Sequence, residues 1–497
     1  KLLSDDEFKI TDSAAREIAA KIAKSEWTAV EVLEAFAKRA VIAHQFTNCA
    51  QEVFIEEGLE RAKYLDKYLA ENGKTIGPLH GLPISLKEHF GYGGKIVNGS
   101  FVGCLDNIAE KHGPTVQVLE DLGAVFYVRT NQPQGLMHLC SENNITGMTK
   151  GPFNLQLTAG GSSSGEGAIV AFGGSPIGMG TDIGGSVRNP AAYSGCHGFK
   201  PTAARVSIAG GVHGGGTNDS VAPTAGPLSR SIDDIEFWMD IYINEGKPHK
   251  MDQSVVPVPW RKVEVPDVKS LTIGVIYDDG IVKPSAPVLR ALNEAVSKLE
   301  AAGAKIVKWE PLKTQKAFDA IKTLYNSAGG IGFSEKIILS GEPIVKLSKW
   351  LSNYGKGSNV LSAEEIFNEK YIIEGLKQEY TDKLDKLGID ILLGPANSSV
   401  ATKSRESYNW SYTTLFNILA LPALSFQTGL RVDPQIDICT DKPRTDYEEL
   451  IFSVYDTVVS KGAPIALQIA GKRYHDEEVV AAGKAIEKVL QVDLLSQ

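Results

Sequence analysis

Runs of lysine or arginine are missing from the 497 residues, and 51 basic side chains are outnumbered by 60 acidic ones, for a net charge of −9. Without a basic run to neutralise phosphates along a groove, nucleic acid is excluded as an expected direct partner. Cysteine is scarce too: Cys49, Cys104, Cys140, Cys196 and Cys439 are odd in number and lack Cys-x-x-Cys spacing. That argues against a disulfide framework and against a zinc site, so no metal is expected and a reducing, cytoplasmic setting fits best. No stretch reaches the roughly 18 apolar residues of a membrane span. The first residues, KLLSDDEFKI, lack the apolar core of a secretory signal, and no repeat, heptad run or low-complexity tract occurs. What remains, 43% hydrophobic and 22% charged residues, is the make-up of a globular protein with a large core.

Helical periodicity dominates residues 1–75, where Thr28 and Glu31 have capping-box spacing ahead of Val30, Leu33, Phe36, Ala37 and Ala40. From Gly77 the pattern changes. Leu82 to Lys87 alternates like a strand, with Leu82, Ile84 and Leu86 on one face and Ser85 and Lys87 on the other, pointing Lys87 away from Glu88. A helix over Thr115–Leu122 closed by Gly123 and a strand over Ala124–Val128 follow. Further strands are predicted at Ile177–Gly180, Thr272–Tyr277, Lys305–Lys308 and Asp390–Leu393, with helices over Val288–Ala302 and His475–Leu490. This alternation predicts an α/β fold, a mixed sheet covered by helices on both faces. No linker divides it, so 1–497 is expected to be one domain, with a helical part at 1–75, a core at 77–235 and a helical excursion at 310–388.

The stretch from Ala159 to Pro201 carries the chemistry. It holds two glycine-flanked serine clusters, Gly160-Gly161-Ser162-Ser163-Ser164-Gly165 and Asp182-Ile183-Gly184-Gly185-Ser186. Such clusters can aim backbone N–H groups at one point, where a serine could attack a carbonyl. A phosphate cradle is a poor reading, because no lysine follows the glycines and no Gly-x-Gly-x-x-Gly opens a helix. Gly161 to Gly165 formally matches a nucleophile elbow, which would make Ser163 the nucleophile of an α/β-hydrolase-type esterase with His475 as its base. A third reading needs no histidine: Lys87, desolvated, accepts a proton from a serine of the Asp182–Ser186 cluster, either directly or through a second hydroxyl that relays it.

The segments TAGGSSSGEGA and GTDIGGSVRNPAAYSGCHGFKPT, preceded by GLPISLKEH, closely resemble the amidase signature family of serine hydrolases, most of all its fungal general amidase or acetamidase branch. The likeness runs from about Gly77 through Gly226–Ser231 to Tyr412–Asn417 and Pro422-Ala423. It implies a mixed, mainly parallel twisted sheet between helices and a Ser–Ser–Lys triad without cofactor. Lys87 would be the base, Ser162, held through a cis peptide, the bridge, and Ser186 the nucleophile. The backbone N–H groups of Ile183, Gly184, Gly185 and Ser186 would form the oxyanion hole. Ser163 and Thr181 match supporting positions, and Asp182 with Arg188 a structural ion pair. Ser164 stands where the family usually has glycine, which bears on the close backbone packing there.

By position, Gly135, Leu136, Leu139 and Cys140 match the pocket-lining loop of the family, while Trp410, Tyr412 and Ile418 lie near the other substrate-facing segment. His138, a lone histidine in an apolar stretch, is expected as a packed core residue. The resemblance implies a small-molecule amide or carbamate (urethane) substrate; a homodimer is kept as an expectation for the assembly, with the oligomeric state left open. An amidotransferase A-subunit-like protein shares the signature, and a degenerate binding module would be favoured only by loss of a triad residue, whereas all three are present.

Overall fold

Thr28 Oγ1 accepts the Glu31 N–H at 3.0 Å and Glu31 accepts the Thr28 N–H at 2.8 Å, so the expected capping box opens the helix Ala29–Thr47. That helix ends at Asn48 in the left-handed conformation (φ 56), and the chain turns there into a short strand, β1 (Ala50–Val53). Residues 1–75 are therefore not helical throughout. A four-residue strand leaves too little periodicity to read, and pairing with a distant strand decides it. The structure is a computed structural model and describes residues 2–212, 221–327, 330–352 and 360–496. Residues 213–220 of the expected core, and 328–329 and 353–359 of the expected excursion, lie outside the described residues.

After β1 come β2 (Pro83–Lys87), β3 (Val125–Thr130), β4 (Glu142–Asn143), β5 (Gly147–Met148), β6 (Ile177–Asp182), β7 (His197–Lys200) and β8 (Thr224–Ser229). The second half adds β9 (Thr272–Val275), β10 (Lys305–Lys308), β11 (Ile391–Pro395), β12 (Ala423–Arg431) and β13 (Pro464–Ala470). All but β4 and β5 join one 11-stranded sheet in the order β1-β3-β2-β6-β8-β7-β12-β13-β11-β9-β10. The sheet is mixed: parallel pairings group at β3-β2-β6 and at β11-β9-β10, and antiparallel strands join the two groups.

Both faces are covered. On β11, Ile391 and Leu393 enter one apolar cluster while Leu392 enters another on the opposite face, as a period of two requires. The helix Ala286–Ala301 falls within two residues of its expected ends, and Asp476–Leu490 starts one residue after His475. The excursion is helical as read, with Thr314–Tyr325, Ile331–Ser340, Lys346–Ser352 and Ala363–Leu387. Its last helix opens on a Ser362/Glu365 capping box.

Candidate active site

Lys87 is the last residue of β2, flanked on both sides by parallel strands, and every residue of that strand is buried. Its neighbour Glu88 is held elsewhere, by the backbone N–H groups of Asn98 (2.7 Å) and Gly99 (3.2 Å). The Lys87 side chain is fully enclosed, and Nζ donates to two hydroxyls, Ser162 Oγ at 2.7 Å and Thr181 Oγ1 at 2.9 Å. Burial pushes its pKa from 10.5 down to about 7, against the pull of Asp182, Glu166 and Glu88. A buried carboxyl sits behind it: Glu166 accepts from Ser85 Oγ (2.5 Å) and Thr130 Oγ1 (2.6 Å), and burial raises its pKa to about 8.

Ser162 follows a cis Gly161–Ser162 peptide bond. Gly161 has no room for a side chain, since a Cβ would sit 2.7 Å from the His138 carbonyl and 2.9 Å from that of Cys140. Ser163 N–H donates to the Ser186 carbonyl at 3.0 Å, which ties the two serine clusters side by side. The Ser163 hydroxyl is spent on β6, donating to Thr181 O at 3.3 Å and accepting from Thr181 N at 3.2 Å. Ser164 Oγ donates to Asn131 O at 3.1 Å, so the extra hydroxyl in place of glycine is accommodated inside the packing.

The Asp182–Arg188 loop is braced from below. Asp182 accepts from Gly185 N (2.8 Å), Val187 N (3.1 Å), Arg188 Nε (3.1 Å) and Asn417 Nδ2 (2.9 Å). Burial would raise the pKa of this carboxyl, but the Arg188 guanidinium and its hydrogen bonds hold it at about 2. Arg188 in turn donates to Gln468 Oε1 (2.9 Å) and Asn417 Oδ1 (2.7 Å). Gly185 has φ 122, and a Cβ there would lie 2.3 Å from Thr413 Oγ1. Of the four N–H groups expected as oxyanion donors, that of Gly185 is committed to Asp182, which leaves those of Ile183, Gly184 and Ser186. No acceptor is bonded to those three N–H groups among the described residues.

Ser186 opens on a narrow cleft walled by Leu136, Leu139, Ile183, Tyr325, Trp350 and Trp410. Of the residues expected to line it, Leu136, Leu139 and Trp410 do so. Gly135 instead packs on Phe333 and Phe101, and Cys140 Sγ donates to Thr158 Oγ1 at 3.3 Å. Tyr412 donates to Val282 O at 2.7 Å, and Ile418 lies in the apolar core. The physical reason is helical rotation: Tyr412 and Ile418 sit on the helix Ser411–Ile418, and Tyr412, two residues from Trp410, turns to the other side. Tyr325 and Trp350 come from the helical excursion, where nothing local in the sequence marked them. Tyr325 stacks on Trp410 (centroids 5.1 Å apart, 13° between planes) and its hydroxyl donates to the Ile183 carbonyl. His138 is buried as expected, yet it lines the cleft.

The nucleophile-elbow alternative lacks its context. No strand leads into Ser163, and His475 is half exposed beside Glu478 at the start of the final helix.

A sequence profile described as Amidase matches residues 31–480. An acetamidase of Aspergillus oryzae is 34% identical over 505 residues, covering 98% of this chain and 92% of that protein. An acetamidase of Emericella nidulans is 34% identical over 503 residues, covering 98% and 91%. A solved structure titled fatty acid amide hydrolase superposes with a TM-score of 0.98 at 52% identity, over 99% of this chain and 87% of its own.

Proposed function

The chain belongs to the amidase family, and on that premise we propose that it hydrolyses linear amides, and carbamates of the same shape, through Lys87, Ser162 and Ser186. The observation that carries the reading is the 2.7 Å contact between an enclosed lysine, depressed to about 7, and Ser162, whose loop is bonded to the Ser186 backbone. Neutral Lys87 takes the Ser162 proton while Ser162 takes the proton of Ser186, and Ser186 Oγ attacks the carbonyl carbon. The carbonyl oxygen gains negative charge as its π bond breaks, and the N–H groups of Ile183, Gly184 and Ser186 receive it. The relay then passes the proton to the leaving nitrogen, the C–N bond breaks and the amine departs. Water attacks the acyl ester by the same route, releasing the acid and restoring Ser186.

Asp182 and Arg188 act by holding the loop, and Ser163 and Thr181 by fixing Ser162 and Lys87. The cleft walls favour short apolar acyl groups, since Leu136, Leu139 and Trp410 offer area and few donors. One sheet draws strands from both halves of the chain, which supports reading the whole as one domain. All five cysteines are unpaired, which supports a reducing, cytoplasmic setting. No described helix is long and apolar enough to cross a membrane. A turnover screen with acetamide, benzamide, a fatty amide and ethyl carbamate tests the substrate class. Short amides and the carbamate should be cleaved fastest, and exclusive turnover of a charged glutaminyl or peptide amide would refute the assignment of the cleft.

A further inference from the structure

One polar side chain in the cleft has no assigned work. His138 is 2% exposed and lines the same space as Ser186, and neither ring nitrogen has a hydrogen-bond partner in good geometry among the described residues. The hydroxyls nearby are engaged: Tyr325 on the Ile183 carbonyl, and Ser407 with Thr402 Oγ1 at 3.2 Å. Burial pushes the imidazole pKa down to about 3 against hydrogen bonding to the backbone of Cys140 and Glu142, so the ring is neutral throughout the working range. A neutral imidazole carries one N–H donor and one lone pair. Poorly aligned with those backbone groups, the ring nitrogens keep a polarity that a ligand atom of matching character can meet.

We propose that His138 is the polar anchor of the cleft and hydrogen-bonds a heteroatom in the acyl chain of the substrate. This rests on reading the cleft as the amide-hydrolysing site. In a primary amide everything beyond the carbonyl and its NH2 is acyl, so a group inside the cleft meets that chain. The walls around His138 are Leu136, Leu139, Trp350 and Trp410. The substrate class that satisfies walls and anchor together is a short apolar acyl chain interrupted by one oxygen.

The test walks an oxygen along a chain of constant shape: butyramide against ethyl carbamate, methoxyacetamide and 3-hydroxypropionamide. For each oxygenated substrate kcat/KM is divided by that for butyramide, and the ratio is compared between the native protein and His138→Phe, which cancels intrinsic reactivity. At least one ratio should fall about five- to fiftyfold in His138→Phe, the range expected for a buried hydrogen bond. His138→Gln, which keeps a donor and an acceptor, should restore part of it. His138→Met supplies the same reading should the phenylalanine variant not fold. Turnover of butyramide with all three ratios unchanged would overturn the inference and leave the amidase reading standing. No turnover of any of the four, with Ser186 inert to a fluorophosphonate, would overturn both.

Discussion

Lys87 must lose a proton before it can act, and its enclosure sets the pH at which that happens. With a pKa near 7, the neutral fraction is about one tenth at pH 6, half at pH 7 and nine tenths at pH 8. For an uncharged amide, kcat/KM should therefore rise roughly fivefold from pH 6 to pH 7, less than twofold from 7 to 8, and then level off. A lysine at the ~10.4 of a solvated side chain would instead give about a tenfold rise per unit up to pH 10. The assay is ammonia release from butyramide across pH 5.5–9.5 at constant ionic strength, repeated for fluorophosphonate labelling so that the profile reports attack by the serine. A log-linear climb past pH 9 would refute the desolvated base, and a flat profile would refute any titrating base in this range.

The relay makes Lys87→Ala and Ser162→Ala each lower turnover by about 100- to 10,000-fold, and the double variant should be little worse than Lys87→Ala, because groups acting as a unit are not additive. Multiplied losses would show independent action. Gly185→Ala should abolish turnover and cost on the order of 2 kcal/mol or more in urea unfolding, since its Cβ meets Thr413 at 2.3 Å and φ is 122. An active, unshifted variant would contradict the loop geometry. Glu166 has its pKa raised from 4.5 to about 8 by burial, so the folded state holds that proton more tightly than the unfolded chain and stability is lost as pH climbs through that window. Glu166→Gln should remove this dependence, read as a smaller drop in urea midpoint between pH 6 and pH 9.

Local residue choice exposed the parts of the site that are contiguous in the chain. The alternation up to Lys87, the two glycine–serine loops and the capping box at Thr28 all act within a few residues of themselves. The cleft is different in kind. Tyr325 and Trp350 reach the cleft only because the helices of the 310–388 segment fold back toward it, a long-range placement that no short window encodes. Tyr412, two residues past the cleft-lining Trp410, turns to the other side of its helix, and Cys140, beside the cleft-lining Leu139, turns its thiol onto Thr158. Strands such as β7, His-Gly-Phe-Lys, carry little β signal of their own and exist because β8 and β12 pair with them.

The central claim is that the reactive oxygen belongs to Ser186, and active-site labelling reads it directly. After reaction with a fluorophosphonate, proteolysis and mass spectrometry should place the adduct on the peptide containing Ser186, with labelling slowed in Lys87→Ala and absent in Ser186→Ala. An adduct on Ser163, or a native protein that takes up no label, would contradict the account.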